Sequence, residues 1–425
     1  MSRRLIAVVL TLGLVLALSS VSLAAVKLTF WDMFSGGDGE FMTALIKEFN
    51  ETHPDIEVEE TVITWGDYYN RLMTASLAGK GPDVGVMHSS HIPAYASKGA
   101  LLELDAELKR ANFPVEDFTP GAWEGGVFNG KQYAIPLDAH PVVMYYNKDL
   151  LGQAGLLKND LPDLPKDPEG FLAALQKIKT ATGKTPITFE ANGFGSYRVW
   201  YATMYQAGGA LLTDDAQKVA ANTEVGRKTL AFWVELLKTF DNAISYDEAV
   251  EMFAQGDSAL LLNGVWVTGM FEQTEGLNFG ACPFPSIFGG EQSCANSHNF
   301  IIPRPRSTDP EKIKAALAFI DWMTANSDKW ALAGHIPVRK SVADSAAFNK
   351  LKYQPQYAAQ ADNLAYLPGS VYMLELETAL ADEIVAAFVG AKTAEEALAE
   401  FERQGNELLA CPVGNCLKDL FEAML

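Results

Sequence analysis

Aromatic rings and planar hydrogen-bonding side chains recur in this chain where stretches that read as β-strands end. Trp31, Ser35 and Asp38 close and follow residues 26–31; Trp65 and Asp67 follow residues 56–59; Met87, His88, Ser89, Ser90 and His91 close residues 82–87. Loops at the C-terminal ends of parallel strands are where open α/β sheets hold ligands. Rings beside imidazoles, hydroxyls and carboxylates suit a polar solute with apolar faces to stack on and a rim of hydrogen-bonding groups. Asp138 and His140 stand two apart in an extended segment and so share one face. Trp266 follows Asn263-Gly264 at the end of a predicted strand, where glycine lets the backbone turn sharply.

Covalent chemistry finds less support. No phosphate loop, zinc-protease helix or nucleophile elbow is present. Gly36-Gly37-Asp38-Gly39 precedes a helix but lacks the spacing of a dinucleotide fingerprint. His88 and His91 stand three apart, with no carboxylate or third histidine at ligand spacing. The expectation is no metal and no cofactor. Two carboxylates able to hydrolyse a glycoside are defined by their separation in space, which the sequence leaves open.

The elements that must position these groups alternate. After the three strands come amphipathic helices over 40–50 and 68–78, which predicts an α/β fold with a largely parallel sheet. Helices dominate further on, at 169–180, 199–207, 224–240, 246–254, 310–324, 374–388 and 393–409. Short strands are expected at 259–262 and 277–279. Residues 134–138 and Pro283-Phe284-Pro285 are Pro-containing extended segments, suited to crossing between domains.

The chain has 425 residues, 48% hydrophobic, 20% charged and 11% aromatic, with net charge −20. It can bury a substantial core and is long enough for two or three domains. Its acidity argues against a nucleic-acid partner. Residues 1–24 read as a secretory signal: Arg3 and Arg4, an apolar run over 5–18 too short to span a membrane, and small Ser22 and Ala24 before the cut. No Cys stands beside that cut, so an exported protein without a lipid anchor is expected. The four cysteines fall into two close pairs, Cys282 with Cys294 and Cys411 with Cys416, and an oxidising compartment favours disulfides between near neighbours, one of three connectivities.

Several local patterns then coincide in order. Leu28-Thr29-Phe30-Trp31, Gly81-Pro82-Asp83-Val84, Gly130-Lys131-Gln132-Tyr133-Ala134-Ile135-Pro136-Leu137-Asp138 and Met144-Tyr145-Tyr146-Asn147-Lys148-Asp149-Leu150 come first. Phe253-Ala254-Gln255-Gly256-Asp257-Ser258-Ala259-Leu260, Asn263-Gly264-Val265-Trp266, Phe300-Ile301-Ile302-Pro303 and Gly334-His335-Ile336-Pro337-Val338-Arg339 follow. With the export signal, this series resembles the solute-binding proteins of bacterial ABC sugar importers, the maltose-binding-protein-like family. The resemblance spans essentially the whole chain after residue 24.

It implies a two-lobed periplasmic-binding-protein fold of type II, with ligand in the cleft and lobes that close by a hinge. Crossings are expected near Leu137, Ala281 and Ala325. The first lobe would be residues 25–137 and 282–325, the second 138–281 and 326–425. The resemblance also implies a sugar or oligosaccharide ligand, a membrane permease partner, a monomer in the periplasm, and no catalysis. Met87, Ser90 and His91 occupy its loop after Gly-Pro-Asp-Val, Asp138 its first-crossing carboxylate, and Trp266 its stacking aromatic. Trp200, Tyr201, His298, His335, Arg339 and Tyr372 complete the candidate cleft with Trp31, Asp38, Trp65 and His140. Rival readings are a glycerol phosphate or polyamine binder and an exported polysaccharide-active enzyme. Arg198 and Arg339 are the only basic residues near the candidates to serve a phosphate.

Overall fold

The structure, a computed structural model, describes residues 25–411 except 306 and 308. The expected signal segment and Cys416 lie outside the described residues. Two main sheets are assembled from β1 (Val26–Asp32), β2 (Ile56–Val62), β3 (Val84–His88), β4 (Ala134–Pro136), β5 (Asp138–Asn147), β6 (Leu260–Gly264), β7 (Phe279–Pro283), β8 (Ser293–Asn296), β9 (His298–Ile301), β10 (Ile336–Pro337) and β11 (Leu364–Tyr366).

Period-two alternation makes the first sheet legible. In β1, Leu28, Phe30 and Asp32 are buried while Lys27 and Thr29 are exposed. The strand order is β2-β1-β3-β9-β4. β1 to β3 pair in parallel, as the alternation of strands and helices requires, but β9 joins antiparallel to both β3 and β4. Helices Gly39–Thr52 and Pro310–Ala325 pack on this sheet, the first through Met42, Leu45, Ile46 and Phe49.

β5 organises the second sheet. β6 lies along one edge and β7 then β8 along the other, with β11 outside β8 and β10 at the start of β5. All ten β5 side chains are buried. Val143 and Tyr145 enter a core shared with the first sheet, while Val142, Met144 and Tyr146 enter a second core under helices Tyr197–Gln206, Glu224–Phe240 and Met373–Phe388.

The chain passes from β4 in the first sheet to β5 in the second at Leu137, and from β8 in the second sheet to β9 in the first at Ser297. Pro283-Phe284-Pro285 instead begins a loop between two strands on the same edge of β5. Beyond helix Pro310–Ala325, β10 pairs with the start of β5, and Arg339 just after it is tied to Asp117 and Asp321.

The Cys282–Cys294 bridge expected from sequence is absent: both thiols are free. Cys282 stands opposite Met144, and Cys294 lies between Ser293, whose hydroxyl donates to the Val142 carbonyl, and Ala295, opposite Pro141. Both side chains lie against the second core, Cys294 buried within it and Cys282 partly buried beside it. Burial pushes both thiols up to about 12.

Candidate functional site

Between the two sheets lies a cavity of about 350 Å³ whose wall takes residues from both lobes. Its aromatic part comes from Trp65, Phe194, Tyr197, Tyr246 and Trp266. Trp65 opens helix Trp65–Leu77 and meets Phe194 across the cleft, ring centroids 4.7 Å apart. The Trp266 indole lies over Gly264, where an added Cβ would sit 1.9 Å from the ring, so only glycine fits there. Its Nε1 donates to the Tyr246 hydroxyl at 2.9 Å, and the Arg198 guanidinium lies 5.3 Å from its centroid. Arg198 is paired in turn with Glu190 at 3.3 Å.

The polar part is dominated by imidazole. Of the chain's six histidines, five lie in or beneath this cavity, all but His53. His91 stacks on Tyr69 at 4.4 Å and its Nε2 lies 3.2 Å from Glu377 of the other lobe. Glu377 accepts a 2.6 Å hydrogen bond from the Tyr197 hydroxyl. Burial lowers His91 to about 3 and raises the Glu377 carboxyl to about 7. His88 contacts the Tyr69 hydroxyl through Nδ1 at 2.5 Å, and burial holds its pKa well below the usual histidine range.

Asp138 forms the floor. Fully buried, it accepts from His140 Nδ1 at 3.0 Å, from His298 Nδ1 at 2.9 Å and backbone N–H at 3.0 Å, and from Trp330 Nε1 at 2.7 Å. His335 Nδ1 stands 3.1 Å from the same carboxylate, and Nε2 stands 3.5 Å from Asp38. Burial by itself would raise the Asp138 carboxyl, but the imidazoles of His298 and His335 and the hydrogen bonds outweigh it and hold it well below the carboxylate range. Burial would likewise lower His335, yet Asp138 and Asp38 raise it to about 9, so it carries a proton at neutral pH. Burial takes His140 the other way, to about 3.

The sequence candidates therefore divide. Asp38, Trp65, His91, His140, Trp266 and His298 line the cavity. Asp138 and His335 lie directly beneath it, and Ser90 lies behind it, accepting from Asn296 Nδ2. The rest are elsewhere. Trp31 is half-buried in β1 with its carbonyl taken by the Tyr68 hydroxyl, and Met87 is in the core. Trp200 and Tyr201 are buried, donating to the carbonyls of Gly226 and Tyr366. Their helix is buried on nearly every face, so only its first turn, Tyr197 and Arg198, reaches the cleft. Arg339 is consumed by Asp117 and Asp321, each at 2.9 Å. Tyr372 donates to the Cys411 carbonyl on the wall of a separate recess of about 730 Å³.

Glu190, Phe194, Tyr197, Arg198, Tyr246 and Glu377 were not among the sequence candidates. The first four follow a segment whose Thr188 bridges Leu261 in parallel, so they too lie beyond the end of an extended stretch. The Gly193 and Gly195 around Phe194 were the available signal.

Known proteins are similar to this chain over most of its length. The arabinooligosaccharide-binding protein of Bacillus subtilis (strain 168) is 25% identical over 357 residues, covering 78% of this chain and 77% of that protein. A solute-binding protein of an ABC transporter from Thermotoga lettingae TMO, solved with α-D-tagatose, is 25% identical with TM-score 0.78, over 91% of this chain and 100% of that one. A maltose-bound T. maritima protein has TM-score 0.79 at 22% identity, over 90% of this chain and 100% of that one. These likenesses identify the architecture as the two-lobed binding-protein fold. The family described as bacterial extracellular solute-binding protein matches residues 35–330, and with that match across most of the described structure the chain belongs to this family.

Proposed function

We propose that this protein is exported and binds a small saccharide in its inter-lobe cavity, delivering it to the membrane permease of an ABC importer without chemical change. The observation that carries the reading is the pairing of aromatic faces with a dense polar rim in one cavity: Trp65, Phe194 and Trp266 against Asp38, His140, Glu190 and Asn296. Relatives named for arabinooligosaccharide and maltotriose binding support the ligand class. About 350 Å³ is at the small end of ligand pockets, which favours one or two sugar rings. Arg198 is the guanidinium in the wall and Glu190 neutralises it, which disfavours a phosphate ligand.

In this reading the first lobe is built on the sheet of β1 and the second on that of β5. Ligand draws the lobes together, Trp65 meets Phe194 and His91 meets Glu377, and the permease recognises the closed form. Residues 1–24 are the export signal, the mature protein is a periplasmic monomer, and Cys411 pairs with Cys416. Alkylation of the denatured, unreduced protein should then label two thiols, those of Cys282 and Cys294; four labelled thiols would remove the second bridge.

A thermal-shift screen over mono- and oligosaccharides tests the function. A true ligand at 100 times its Kd should add about 2.7 kcal/mol of stability. Shifts from phosphorylated or polycationic solutes, with none from any neutral sugar, would overturn the saccharide reading.

A further inference from the structure

Asp138, His140, His298 and His335 each offer a ligand atom, and these four atoms all lie within 4.8 Å of one another. Three imidazole Nδ1 atoms converge on one carboxylate, at 3.0, 2.9 and 3.1 Å. A tetrahedral centre with metal–nitrogen bonds of about 2.0–2.1 Å has its ligand atoms roughly 3.3 Å apart, and the three nitrogen–carboxylate distances fall close to that spacing.

Hydrogen bonding alone does not account for the cluster. His335 is fully buried, yet neither ring nitrogen makes a hydrogen bond of acceptable geometry, although carboxylates stand on both sides of it. Buried polar groups are nearly always satisfied. Its ring is also held rigidly, stacked on Trp330 with centroids 4.3 Å apart and planes 6° apart. Asp138 and Asp38 bring two carboxylates to His335, 3.1 and 3.5 Å from its ring nitrogens. A divalent ion would be held by that carboxylate charge and would take a nitrogen that lacks a hydrogen bond. Trp330 Nε1 and the His298 backbone N–H already grip the carboxylate from outside, as outer partners do around metal ligands.

From this geometry we infer that Asp138, His140, His298 and His335 form a binding site for a divalent transition ion of the zinc class, a three-nitrogen, one-oxygen donor set. The ligands come from three separate chain segments: the start of β5, the start of β9 and the residue before β10. An ion there clips these segments together beneath the cavity. The inference does not depend on which solute fills the cavity above.

The test uses the full chain stripped with EDTA and no sugar. Calorimetric titration with Zn2+ should show one ion per chain with Kd at or below the micromolar range. Co2+ in its place should give the intense visible bands of a four-coordinate centre. His140→Gln and His298→Gln should each weaken Zn2+ binding by about 100-fold or more, whereas His53→Gln, on a distant helix end, should leave it unchanged. Saturable binding absent from the wild-type chain overturns the proposal, as does binding that survives in both folded variants. If the variants fail to fold, the wild-type cobalt spectrum decides: weak six-coordinate bands, or none, overturn it equally.

Discussion

Replacing Asp138 by Ala should cost about 3–5 kcal/mol of folding stability, the penalty for stripping one partner from a buried, hydrogen-bonded charge cluster. The carboxylate is the acceptor for the His140 and His298 rings, the His298 backbone and the Trp330 indole, and its removal strands all of them in the interior. His335 would also lose the nearer of its two anionic neighbours. The effect has a pH signature. His335 is raised to about 9, above its unfolded value, so the stability it contributes is fully present below pH 6.5 and is lost as pH rises through 9. Wild-type protein without metal should therefore lose stability between those limits, and Asp138→Ala should show a flatter profile there. Urea melts at pH 6 and pH 9.5 for both proteins measure it. A wild-type-like melting curve for Asp138→Ala would contradict the central role given to this carboxylate.

Two tryptophans should respond oppositely to the same change. Trp200 is fully buried in the second core, so Trp200→Ala should cost about 3–5 kcal/mol of stability while the folded fraction binds sugar as before. Trp266 is only partly buried and faces the cavity over Gly264. Trp266→Ala should lower sugar affinity by about 1–3 kcal/mol, by analogy with ring stacking on nucleic-acid bases, and lower the melting temperature much less. Calorimetric titration and thermal melting of each variant separate the outcomes. Wild-type affinity in folded Trp266→Ala would remove its ring from the ligand contact.

What the sequence could convey follows how local each feature is. Alternation in β1 and the Pro136–Asp138 segment marked a strand and a crossing, because each depends on a few adjacent residues. Asp138 and His140 stood out for the same reason. The crossing at Ser297 was hidden because residues 293–301 run extended throughout, and the change of sheet is a matter of which neighbours are paired. The resemblance carried His298 and His335 as cleft candidates, but their convergence on one carboxylate depends on distances of 160 and 197 positions along the chain, which no local spacing records. Trp200 was placed in the cleft for want of knowing that its helix is enclosed; Tyr197 and Arg198, at the start of that helix, take the place expected for it.

β5 serves two interiors at once, with alternate side chains divided between them. A single inserted or deleted residue within it would send Val142, Met144 and Tyr146 where Val143 and Tyr145 belong, and the reverse, disrupting both cores together. The strand thus behaves like a reading frame: substitutions that preserve bulk are tolerated one by one, whereas a change of length is not. Lineages of this protein should vary in length elsewhere, as in the loop over 284–292 between β7 and β8, and keep the ten positions of β5 in step.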